Sequence, residues 1–257
     1  SHLLHLEGIE SVVLETRTRD QIESTIRAGV LEQGTVDLLT ETGVGERMRR
    51  EGFRHTGVEL RFGGQGHRLD LADLTGGKAI TVYAQHEVIK DLVKARVDAG
   101  GQVLFGVSDV SLHGVETDRP TIRFGQDGGQ RELACDFIAG CDGFHGVSRQ
   151  TIPLTVRREY EKTYPFGWLG VLSRTPPVHD ELIYAASQRG FALCSMRNDN
   201  LSRYYIQCAL SDHPGDWTDD AFWAELKRRL PPDVAERLVT GPSIEKSIAP
   251  LRSFVTE

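Results

Sequence analysis

The sequence predicts a mixed α/β (α+β) fold, in which a βαβ-type portion is joined to a mostly antiparallel sheet. Three observations predict it. Helix-like and strand-like segments alternate through residue 99, strand-like segments then run consecutively to Ala139, and a second strand series begins at Glu159.

The segment 1–10 reads as the end of a helix, with Leu3, Leu4 and Leu6 apolar and Gly8 as its stop. Residues 11–15 read as a short buried strand ending in an acid. Helix, then strand, then acid is the second half of a βαβ unit, so the first strand and its glycine loop are expected upstream of Ser1. Helical spacing of Val30, Leu31, Val36, Leu38 and Leu39 predicts a helix over 30–42. Residues 58–62 and 67–71 alternate as paired strands around Gly63-Gly64, and 80–84 is another strand. Residues 85–99 form an amphipathic helix stopped by Gly100-Gly101. Strands follow between 103 and 139, with turns at 118–120 and 127–129. Later strands are predicted at 166–172, 182–186, 191–197 and 203–210, helices at 219–230 and 232–238, and extended chain over 244–254. The predicted domains are 1–156 and 157–257, with 55–80 contributing to the second.

Of the 257 residues, 39% are hydrophobic and 26% charged, as in an ordinary globular protein, and the formal net charge is −7. That balance argues against nucleic acid or an anionic membrane as partner. No apolar run reaches membrane-spanning length. Cys135, Cys141, Cys194 and Cys208 lie in apolar, strand-like text without CxxC spacing, which predicts buried free thiols in a reducing cytoplasm and no metal site.

Glu15 is the first candidate for chemistry. An acid at the end of the second strand of a βαβ unit accepts hydrogen bonds from ribose hydroxyls, or else simply faces solvent. The second candidate is the run 137–149, an apolar strand leading through Asp142-Gly143 to a helix opened by Ser148 and Arg149. Asp142 can hold a ribose hydroxyl, Gly143 admits a ligand close to the backbone, and Arg149 supplies charge for a pyrophosphate. Asp-Gly alone is commonly only a turn.

Strand periodicity suggests a third site. Leu193, Ser195 and Arg197 share one face of their strand, as do Leu182 with Tyr184 and Arg203 with Tyr205. If these strands are neighbours, their common face suits a flat aromatic acid: leucines for the ring, Arg197 with Ser195 and Tyr205 for the carboxylate, and Tyr184 for a phenol. The alternative is a solvated sheet face with incidental arginines.

The run 137–149 resembles the DG motif of the class A FAD-dependent aromatic hydroxylases, and 140–146, with 26–34, 164–170 and 246–252, resembles in particular those acting on 4-hydroxybenzoate; the similarity covers essentially the whole chain. The resemblance implies a Rossmann-like FAD-binding domain with an antiparallel-sheet substrate domain, in a cytoplasmic homodimer. It implies FAD as cofactor, NADPH or NADH as co-substrate, O2, and conversion of 4-hydroxybenzoate to 3,4-dihydroxybenzoate. It places Glu15, Arg27, Gln85, Asp142 and Arg203 at FAD, and His145, Arg149 and Arg252 at the nicotinamide cofactor. Ser195, Arg197, Tyr184 and Tyr205 fall on substrate-binding positions, and His55 on a histidine that relays the phenolic proton toward solvent. The family's glycine-rich loop and its later Gly-Asp motif are expected outside 1–257. Three competing readings are a hydroxylase of another phenolic acid, a fragment that binds substrate but does not keep FAD, and a nicotinamide dehydrogenase.

Overall fold

A computed structural model describes residues 1–26 and 29–256. In chain order its elements are α1 (His2–Leu6), β1 (Val12–Glu15), α2 (Arg19–Ser24), β2 (Val30–Glu32), α3 (Gln33–Glu41), α4 (Glu46–Glu51), β3 (Phe53–His55), β4 (Gly57–Phe62), β5 (Gln65–Asp70), α5 (Leu71–Thr75), β6 (Ile80–Val82) and α6 (Gln85–Asp98). They continue with β7 (Gln102–Phe105), β8 (Ser108–His113), β9 (Thr121–Gln126), β10 (Gly129–Ala134), α7 (Val147–Thr151), β11 (Glu159–Ser173), β12 (Ile183–Ser187), β13 (Gly190–Asn198), β14 (Leu201–Cys208), α8 (Asp219–Arg229), α9 (Pro232–Arg237) and β15 (Ser243–Thr256). A short 3-10 turn, Pro214–Asp216, precedes α8.

The chain packs as two units. One comprises 1–26, 89–161 and 254–257, the other 27–88 and 162–253. In the first, β1 lies parallel to β7, with Glu15 opposite Phe105. A parallel pair needs a crossover connection, consistent with the helix–strand alternation read from the sequence. The same unit holds the antiparallel sheet β10-β9-β8, whose β9–β10 turn is made by Asp127 (φ 51) and Gly128 (φ 77).

The second unit is built on a seven-stranded sheet ordered β15-β11-β14-β13-β12-β4-β5. The pairs β11–β14, β14–β13, β13–β12 and β4–β5 are antiparallel, and β12–β4 is parallel. Alternation divides the side chains of its central strands. Ile183, Ala185, Ala192, Cys194, Tyr204 and Ile206 form one buried cluster with Phe222, Trp223 and Leu226 of α8 and Val234 of α9. That face is the core, so the residues between them, Tyr184, Leu193, Ser195, Arg203 and Tyr205, project from the opposite face. Strands 57–62 and 65–70 join this same sheet through β12.

Three expectations need correction. Residues 30–32 are a strand rather than the first turn of a helix, because they pair with β6 and bury Leu31; the helix begins at Gln33. Phe137-Ile138-Ala139 is not a strand: it has no ladder partner among the described residues, and Phe137 is 91% exposed. Cys194 and Cys208 are buried free thiols, and burial pushes Cys194 up to about 12, whereas Cys141 is exposed and Cys135 half-buried. No helix among the described residues is long and apolar enough to cross a membrane.

Candidate active site

Across the central sheet, Tyr184 stands opposite Leu193, Leu193 opposite Tyr205, and Tyr205 opposite Gly170. Ser195 stands opposite Arg203 in the adjacent row of the same face. The strand-neighbour condition on which the substrate patch depended is therefore met, and one surface carries two phenols, a leucine, a hydroxyl and a guanidinium. Phe191 extends the patch, its ring 6.0 Å from that of Tyr184 and 5.1 Å from that of Trp168.

Arg197 lies where the β13–β14 register shifts between Met196 and Asn198. Such a bulge turns a side chain away from strict alternation. Its guanidinium lies near the Tyr205 side chain, and its Nε is buried without a hydrogen-bond partner. Partial burial pulls Arg197 below the ordinary arginine range, the nearby charge of Arg203 adds to this, and Tyr205 and the Glu245 carboxylate work against it. Arg203 is buried and its charge is met: Nη1 donates to Glu245 at 2.8 Å and Nη2 to Ser247 Oγ at 3.3 Å. Among the described residues no carboxylate pairs with Arg197. The Ser195 hydroxyl, also buried, donates to the Met196 carbonyl at 3.2 Å and keeps acceptor capacity.

His55 ends β3 opposite Ile80 of β6 and is only 4% exposed. Its Nε2 lies 3.2 Å from Met196 Sδ, and its Nδ1 is buried without a partner. Burial holds the imidazole below the ordinary histidine value; Glu181 and Asp180 oppose that shift and His179 reinforces it. The ring is therefore neutral at pH 7 and able to accept a proton.

In the first unit, Glu15 accepts from Arg17 N at 2.8 Å and Thr16 Oγ1 at 3.4 Å, both on Oε1. Asp142 accepts from Ser148 N at 2.9 Å and is packed onto Gly146. Gly143 has φ 73, and a Cβ built there would meet nothing within 4 Å, so one side of the Asp-Gly backbone is open. Arg149 is committed internally, to the Phe144 carbonyl, to the Glu159 carboxylate and over the Phe144 ring. His145 is exposed and edge-on to Phe144. In the second unit, Gln85 opens α6 and Arg252 lies exposed on β15. Arg27 falls outside the described residues.

The sequence reading did not single out Gly170, Glu245 or the pair Arg68–Glu181. Only Gly170 carried a signal, as part of the similar run 164–170.

The FAD-binding domain family model matches residues 1–257. The p-hydroxybenzoate hydroxylase of Acinetobacter baylyi is 54% identical over 255 residues, covering 99% of this chain. This chain spans 63% of that relative's length. Among solved structures, the p-nitrophenol 4-monooxygenase PnpA of Pseudomonas putida DLL-E4 superposes with a TM-score of 0.75 at 18% identity, covering 99% of this chain and 64% of that one. PqsL of P. aeruginosa, in complex with 2-aminobenzoylacetate, superposes at 0.77 and 18%, covering 97% and 68%. At such identity these two structures show a shared fold. Together with the family match and the identity to the Acinetobacter relative, they establish that the chain belongs to the FAD-binding domain family.

Proposed function

We propose that this chain belongs to a cytoplasmic FAD-dependent hydroxylase that uses NADPH or NADH and O2 to convert 4-hydroxybenzoate to 3,4-dihydroxybenzoate. The observation that carries the reading is Arg197: a half-buried guanidinium with a buried, unpartnered Nε and no ion pair to a carboxylate among the described residues, beside a phenol-bearing sheet face. A substrate carboxylate would neutralise it in a fork that an ammonium does not reproduce. Ser195 and Tyr205 would complete that end, Leu193 would pack the ring, and Tyr184 would meet the phenol. The 54% identity to a p-hydroxybenzoate hydroxylase supports the same substrate.

The residues fit the cofactor. With its local bonds on Oε1, Glu15 would offer Oε2 to a ribose hydroxyl, and the open side of Gly143 would admit the dinucleotide to the backbone. Asp142, fixed by Ser148, would take a hydroxyl from a rigid position. Gln85, Arg203 and Arg27 would serve the same cofactor, and His145, Arg149 and Arg252 the nicotinamide. Bound FAD, once reduced, would supply the activated oxygen.

The protein's own work is positioning and proton management. Tyr184 would share the phenolic proton, leaving an electron-rich ring, and His55, neutral through burial, would accept it. The sheet face would hold the carbon ortho to that oxygen in a fixed place.

The test is titration of the FAD-loaded protein with 4-hydroxybenzoate, 4-hydroxybenzamide and phenol, following the flavin absorbance. Saturable perturbation by the carboxylate alone is expected. Equal response to the amide would remove Arg197 from its role.

A further inference from the structure

The segments carrying His55 and Tyr184 are joined by one ionic clamp. Arg68 on β5 grips Glu181 in a fork, Nε to Oε2 at 2.7 Å and Nη2 to Oε1 at 2.8 Å. The same guanidinium reaches Asp70 at 2.8 Å and Thr56 Oγ1 at 2.9 Å. The backbone N–H of Gly57, near the Glu181 carboxylate, also helps to keep it ionised. Glu181 thus sits on the link between β3 and β4, two residues beyond His55, and three residues before Tyr184. Next to it, Glu59 N donates to Leu182 O at 2.8 Å, which opens the parallel β4–β12 ladder. Gly57 permits this close approach: a Cβ there would lie 2.6 Å from Arg68 Nη2 and 2.7 Å from the Leu69 carbonyl oxygen.

We propose that Glu181, held by Arg68, is a positioning residue for His55: it docks the His55 segment onto the strand that carries Tyr184 and places a fixed negative charge near the imidazole. The inference rests on the reading of His55 as proton acceptor. A half-exposed carboxylate on a free rotamer would be screened and mobile. Glu181 is neither, since its side chain is 12% exposed and is held by two donors of one guanidinium. The ionisable groups acting on His55 are Glu181, Asp180 and His179, all on the segment before β12; β6 and β13 contribute Ile80 and Met196, neither of which titrates. Of the two carboxylates, Glu181 acts more strongly, and Arg68 holds it ionised, below the usual carboxylate range. Arg68 fixes that charge in place.

Glu181→Gln removes the anion and keeps a side chain of the same shape, so His55 should titrate at lower pH. Arg68→Gln keeps the anion but releases it from the fork, so it should lower the His55 midpoint by less than Glu181→Gln does. A purely structural clamp, broken in either variant, would move His55 equally in both. The experiment is NMR titration of histidine-labelled protein, with the His55 resonance assigned from His55→Gln. A lowered midpoint in Glu181→Gln and a smaller fall in Arg68→Gln are expected; equal shifts in the two, or an unmoved or raised midpoint in Glu181→Gln, overturn the proposal. Should Arg68→Gln not fold, the isosteric Glu181→Gln decides alone, and an unmoved or raised midpoint overturns it. The titration needs neither FAD nor substrate, so its outcome is separate from that of the hydroxylase reading, which product analysis decides.

Discussion

Tyr205 faces Gly170 across the β11–β14 ladder, and a Cβ at position 170 would come within 2.8 Å of Tyr205 Cε1 and 3.0 Å of Arg203 Nη2. The empty space over Gly170 is what lets Tyr205 lie flat against Arg203, whose guanidinium carbon is 5.2 Å from the ring centroid. Gly170→Ala should displace the ring from its place beside Arg203 and Arg197. A cost of about 1–3 kcal/mol in stability is expected for such overpacking. Denaturant melts check the cost, and 4-hydroxybenzoate titration should show weakened binding.

Arg197→Lys keeps the charge and loses the fork. Binding of 4-hydroxybenzoate should weaken by about 1.5–3 kcal/mol, the range for a hydrogen bond to a charged group. Calorimetry on the FAD-loaded variant measures this. Unchanged affinity would show that the carboxylate is held elsewhere.

Asp219 should make the second unit acid-sensitive. Its carboxylate accepts Ser243 N at 2.9 Å and Ser243 Oγ at 2.7 Å, and pairs with Lys246 at 2.9 Å. The Ser243 backbone bond foremost, then Lys246, lower it from 3.8 to about 2. A carboxylate lowered in the fold stabilises above its unfolded value, and that contribution disappears as pH falls toward its folded value. After discounting for screening at a side chain one-third exposed, the contribution is about 1–2 kcal/mol. Asp219→Asn should cost that amount at pH 7 and close to nothing at pH 2, measured by chemical denaturation at both.

The stretch after Glu15 bears on which nicotinamide cofactor is used. Thr18 caps α2 in a reciprocal box with Gln21, and Arg19 is drawn into a pair with Glu23 at 2.6 Å. That pairing withdraws one of the two cations that would favour a 2′-phosphate, and Asp20 adds negative charge. NADH should serve at least as well as NADPH, judged by kcat/KM for both at one ionic strength. A tenfold preference for NADPH, about 1.4 kcal/mol, would assign the choice to Arg17 or to groups elsewhere.

Period-two alternation made the common sheet face legible. Leu193, Ser195, Tyr184, Tyr205 and Arg203 share a surface because β12, β13 and β14 are neighbours and their opposite faces meet α8 and α9. The neighbour relation itself was a condition that single strands cannot supply. Arg197 was placed on that face by alternation, yet it sits at a register shift, which is a property of two strands together. Val30–Glu32 misled for the same reason: a short apolar run fits helix or strand, and only the partner β6 decides. The Arg68–Glu181 clamp joins positions 113 apart, beyond any local pattern.

The most direct measurement of the account is the coupling ratio: 3,4-dihydroxybenzoate formed per nicotinamide oxidised by the FAD-loaded protein, with hydrogen peroxide quantified alongside, for wild type and Tyr184→Phe. The account predicts tight coupling in the wild type. It predicts that Tyr184→Phe still binds 4-hydroxybenzoate and oxidises the nicotinamide, but releases mainly peroxide, because the ring is no longer activated through its phenol. Wild-type coupling in Tyr184→Phe, or no 3,4-dihydroxybenzoate from the FAD-loaded wild type, would contradict it.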